Sequence, residues 1–213
     1  MWRAFATVLL LAAAAVFAAE PASSTRFVYD QAAERPPTRP EWSEELNERL
    51  PEIVSLWESI IPTLVEAVTI TTKKPFSAPK TVHLILSDRP SNSFSGVTVN
   101  MRYALRSFTA TPVPMRYKLD TVFHEALHEF VSRNTPTRSV LLSQHASEPM
   151  CVRNHLHLLA LQKAALLYTK DLEALEQVIS IDGQLPSGCY KRAWSLVNSA
   201  PNTYLQYVVE LSQ

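Results

Sequence analysis

The chain reads as an α+β domain, mainly helical, with a small sheet placed ahead of one motif-bearing helix. Three observations carry this. Apolar residues recur every three or four positions over 41–71 and again from about residue 116 onward, which is helical spacing. Between these regions lie two short segments rich in β-branched and apolar residues, 81–87 and 96–101. Only 3 glycines against 15 prolines disfavour a turn-rich barrel or sandwich and exclude a Gly-rich phosphate loop.

The elements follow in order. Met1-Trp2-Arg3, the uncharged apolar run 4–17 and small residues around Ala18 have the layout of a secretory signal peptide, residues 1–18. The run is shorter than the roughly 20 apolar residues a membrane span needs. The expectation is export to the periplasm or medium, with no stable membrane anchor after signal removal and no second hydrophobic span. Residues 19–40, with Pro21, Pro36, Pro37 and Pro40, read as an extended lead-in to a single domain over 41–213. A helix is expected over 41–71, kinked or interrupted at Pro51 and Pro62. Strands at 81–87 and 96–101 follow, with a possible third over 103–109. Helices are expected at about 116–132, 148–169, 171–180, 189–198 and 202–211.

Composition bounds the function. A chain of 213 residues that is 46% hydrophobic can bury one ordinary core. Lys+Arg and Asp+Glu balance at 20 each, which gives no electrostatic case for nucleic acid or an anionic membrane surface. No protein partner is identifiable. Cys151 and Cys189 are the only cysteines. In an exported chain they are expected to pair, two buried free thiols being the alternative. The bridge would be worth roughly 3–4 kcal/mol on the loop-entropy account.

The chemistry lies in His124-Glu125-Ala126-Leu127-His128. Four positions apart on a helix, both imidazoles leave from one side and suit a divalent metal, zinc first. Glu125 sits where it can reach a metal-bound water without ligating the metal, the position of a general base. A third ligand is needed. Glu148 is the leading candidate, at the start of the next helix, although an acidic residue there also suits a helix N-terminus. His145 is the alternative.

With Glu148 included, this pattern resembles the gluzincin metallopeptidases, the thermolysin-like branch of the zincins. The resemblance covers about 121–160. It implies a zincin-like core, zinc held by His124, His128 and Glu148, Glu125 as base and then acid, and a peptide substrate bound along the edge strand of the preceding sheet. Two positions depart from the family pattern: Glu129 is charged, and Val152 stands where an Asp usually supports a histidine. Asp120, one turn before His124, is a candidate substitute. His155 shares a helix face with Glu148 and reads first as a polar helix-face histidine, the alternatives being to orient Glu148 or to donate to an oxyanion. Tyr190, drawn in by a Cys151–Cys189 bridge, is another candidate donor. His83 and His157 read as structural. The expected function is an exported zinc metallopeptidase whose zinc-bound water is activated by Glu125. The alternatives are a non-peptidase zinc amide hydrolase of the cell envelope and a catalytically silent zinc-stabilised binding module.

Overall fold

In the computed structural model, residues 25–31, 34 and 38–213 are described. The expected signal peptide, residues 1–18, lies outside the described residues. Strand β1 (Arg26–Tyr29) leads into helix α1 (Pro40–Thr72), then strands β2 (Thr81–Ile85) and β3 (Val97–Asn100). Six helices follow: α2 (Met115–Asn134), α3 (Val140–Gln144), α4 (Met150–Tyr168), α5 (Leu172–Asp182), α6 (Cys189–Val197) and α7 (Thr203–Leu211). The strands form one parallel sheet in the order β1-β2-β3. The mainly helical α+β character therefore stands.

The sheet differs from expectation in its third strand. Residues 103–109 are irregular, opened by a single 3₁₀ turn over Arg102–Ala104. This segment stays irregular because side chains accept from its amides. Asn100 Oδ1 accepts from the Arg102 N–H at 3.0 Å, and both Glu45 carboxylate oxygens accept from the Arg106 and Ser107 N–H groups at 2.9 and 2.7 Å. The third strand comes instead from the lead-in, with Arg26 opposite Thr81 and Tyr29 opposite Leu84.

Helix α1 runs through both prolines without a break in its assigned helix. Pro51 and Pro62 are exposed, so the carbonyls that lose their N–H partners face water. By length and composition α1 is apolar enough to cross a membrane, with a mean hydropathy of 1.5 over 18 residues. Its stripe of Leu46, Ile53, Trp57, Leu64 and Val68 is buried in the core of this fold. Trp57 meets Phe27 of β1 edge-on at 6.1 Å.

Helix α4 is the centre of the molecule, packed by α1, α2, α5, α6 and α7. Leu156, Leu158, Leu159, Ala160 and Leu161 have no exposed surface, so apolar side chains leave it in every direction. Helix α6 begins at Gly188, whose φ of +66° favours glycine although a Cβ would meet nothing. Asp182, buried at the end of α5, joins three helices. Its carboxylate accepts from the Tyr117 hydroxyl of α2 at 2.9 Å and from the Trp194 indole of α6 at 3.0 Å. Asp182→Ala would strand two buried donors and is expected to lower the unfolding free energy by about 2–5 kcal/mol. Urea denaturation checks this, and an unchanged midpoint would show that the two donors find other partners.

Candidate metal centre

Helix α2 supplies His124, Glu125 and His128; helix α4, packed against it, supplies His155. The ligand atoms of His124, His128 and His155 all lie within 4.8 Å of one another. The ring centroids are 5.1, 5.4 and 5.3 Å apart. Three nitrogens around a tetrahedral ion at ~2.0–2.1 Å would be about 3.3–3.4 Å apart, a difference that small side-chain rotations close. The three histidines can hold a metal ion.

Hydrogen bonds orient two of the rings for that task. His155 Nδ1–H donates to the Cys151 carbonyl at 2.6 Å, which leaves the Nε2 lone pair free. His124 Nδ1 meets Gln162 Oε1 at 3.1 Å, and donation to that oxygen leaves His124 Nε2 as the acceptor. His155 and Gln162 are seven residues apart on α4, about 20° around the helix, so one face of α4 carries both a nitrogen donor and the partner of another. Burial holds His124 well below its ordinary pKa, with His155 and His128 adding to the effect. Burial, then His155, puts His128 at about 4. Burial also lowers His155, against the opposing bond to Cys151. All three are neutral near pH 7, the form that binds metal.

Glu125 is 4% exposed, and its Oε2 lies 3.9 Å from His128 Nε2. Burial raises its carboxyl to about 7, while the Ser93 hydroxyl acts the other way. A carboxyl tuned near neutrality beside a metal site is suited to exchanging protons. Tyr190 completes the cluster: its hydroxyl is 3.4 Å from His124 Nε2 and its ring 4.6 Å from that of His155. Burial, followed by the charges of Glu125 and Asp182, raises its pKa, so it remains a proton donor.

The structure does not bring Glu148 to the histidines. Its carboxylate accepts from Arg192 of α6, with Nε at 3.0 Å, and the third nitrogen of the cluster comes from His155 instead. Asp120 does not support a histidine either. It is buried beside Arg116, 3.2 Å from its guanidinium, and Gln162 takes the position at His124. His145 is bonded to the Tyr207 hydroxyl at 2.8 Å and His157 to Glu210 at 2.8 Å; neither belongs to the histidine cluster, although His157 lines the groove beside it. Gln162 and Ser93 carried no sequence signal beyond the heptad spacing of His155 and Gln162.

Cys151 and Cys189 are joined, with Cα atoms 5.9 Å apart. The bridge fixes the first turn of α6 against the first turn of α4, and this places Tyr190 over His155. Thiol titration of the denatured, unreduced protein is expected to find no free thiol. Two titratable thiols would mean that Tyr190 is held by packing alone.

Two cavities meet at Glu125. A pocket of about 420 Å³ lies on the His124 and Tyr190 side. A wider groove of about 950 Å³ runs past His128, Phe94, Gly96 and Val97. Strand β3 edges the sheet, but its outward groups are already taken. Thr98 exchanges two backbone hydrogen bonds with Asn92, at 2.9 and 2.8 Å, and the Asn100 N–H donates to Ser91 Oγ at 3.0 Å. Pairing of a peptide along β3 is therefore closed off by the chain itself. The groove instead offers Phe94, which is 96% exposed.

No protein-family model, curated protein or solved structure matches the chain.

Proposed function

We propose that the protein is an exported zinc hydrolase that cleaves peptide bonds. The observation that carries this reading is the convergence of three imidazoles beside the buried Glu125 at the junction of two cavities. Three histidines with one position left open for water are a donor set used by catalytic zinc. The disulfide supports an oxidising destination. The zincin resemblance is carried by the His124–His128 helix alone; the parallel sheet and the third histidine depart from the gluzincin pattern.

Zinc held by His124, His128 and His155 would supply positive charge to polarise the scissile carbonyl and acidify a water. Glu125 accepts the proton of the attacking water and returns it to the leaving amine. Tyr190, protonated and within reach of the same site, donates to the oxyanion as the carbonyl becomes tetrahedral. The groove past Phe94 takes an extended segment on one side of the scissile bond, and the smaller pocket takes the residue or residues on the other.

The test is digestion of a mixed peptide library by the purified protein, read by mass spectrometry. Cleavage is expected, lost on treatment with a chelator and restored by zinc. A protein that binds zinc stoichiometrically yet cleaves nothing would instead be a zinc-stabilised binding module.

A further inference from the structure

The smaller pocket holds a charge that the proposed mechanism does not use. Lys118 lies on α2, seven residues before Glu125, so both project from nearly the same face and both line the cavity. Lys118 is 7% exposed. Among the described residues no carboxylate or carbonyl accepts from its ammonium, and an aromatic ring near it is that of the adjacent Tyr117, at 5.8 Å. Burial alone accounts for its pKa falling to about 8, which leaves it charged at neutral pH. Apart from Glu125, the cavity's other charges have partners. Arg102 pairs with Asp88, and Arg89 donates to Ser87. Asp182 accepts from Tyr117 and Trp194, and Asp120 is ion-paired with Arg116 at 3.2 Å, although neither of its oxygens accepts a hydrogen bond.

A mostly buried lysine that presents its ammonium to a cavity without a counter-ion pays part of the cost of desolvation, which an anion bound there would offset. We propose that this pocket binds a carboxylate of the substrate, with Lys118 as its counter-ion. The rise between Lys118 and Glu125 is about 10 Å along the helix. That matches roughly three extended residues, or one residue and an acidic side chain. The carboxylate can therefore belong to an Asp or Glu side chain next to the cleaved bond or to the substrate's own C-terminus. As a statement about substrate preference this rests on the hydrolytic reading; as a statement about binding it does not.

Calorimetric titration separates the two. The probes are N-acetylglutamate α-amide, carrying a side-chain carboxylate only; N-acetylalanine, carrying a terminal carboxylate only; and N-acetylglutamine amide, carrying neither. They are titrated into wild-type protein and Lys118→Met, zinc-loaded and after chelation, so that a bond to the metal cannot be mistaken for one to the lysine. At least one acid is expected to bind wild-type protein about thirtyfold or more tighter than the neutral amide, in both metal states. That preference should vanish in Lys118→Met, whose zinc content stays unchanged. Whichever acid is preferred identifies the source of the carboxylate. Equal binding of acids and amide to wild-type protein, or no binding of either acid, overturns the proposal whatever the variant does. An acid preference that survives in Lys118→Met overturns it as well. Carboxylate binding without peptide cleavage would leave the pocket standing and remove the peptidase reading; cleavage without carboxylate binding would do the reverse.

Discussion

Replacing His155 with alanine is expected to empty the metal site, while replacing Glu148 leaves it filled. Elemental analysis should give about one zinc per wild-type chain, as a three-histidine site with one open position requires. His155→Ala removes one of three converging nitrogens and also the group that Cys151 orients. The two histidines left on α2 form an incomplete donor set, so zinc should fall to a small fraction after dialysis. Glu148→Ala breaks a partly exposed pair with Arg192 and touches none of the three rings. The comparison is sharp because Glu148, just before α4, and His155, within it, are the two residues that compete for the third position. Loss of zinc from Glu148→Ala with retention in His155→Ala would restore the glutamate as the third ligand.

The second large effect concerns Glu125→Gln, which keeps size and shape but removes the group that accepts the water proton. Zinc should stay, because the carboxylate is not among the three converging nitrogens. Peptide hydrolysis should fall by about 10²–10⁴, the range expected for loss of a general base. Metal content and rate must be measured on the same preparation. A variant that lost its zinc would make Glu125 a ligand or a support for His128, from which it is separated by 3.9 Å. A variant that kept both zinc and full activity would place the base elsewhere.

Helices and motif were legible in the sequence because their signals are local. The periodicity of α1 and α2 appears within any window of two or three turns, and the His124–His128 spacing is itself one helical turn. The cysteine pairing was legible because only one pairing exists. What escaped depends on distant parts of the chain. Strand β1 has four residues and pairs with a strand 55 positions later, and nothing in Arg26–Tyr29 announces that partner. The third ligand was assigned to Glu148 because it stands at a helix start after the motif. The structure places that carboxylate near an arginine of α6, 44 residues away. His155 was visible as a residue sharing a face with Glu148 on a helix expected from 148; that helix begins at Met150. Its place in the cluster depends on how closely α4 packs against α2, which no local pattern encodes. Pro51 and Pro62 suggested breaks because their cost was judged without knowing that both face water.

The position of Cys151 has a consequence for the order of assembly. Its carbonyl holds the ring of His155 and its sulfur holds the first turn of α6, which carries Tyr190. The nitrogens ride on helices fixed by the core, whereas the tyrosine is pinned at one end by an oxidation. On the hydrolytic reading, a chain still in a reducing compartment gathers its three histidines before Tyr190 is locked in place. Completion of the site then has two separate triggers, a metal for the first stage and an oxidant for the second.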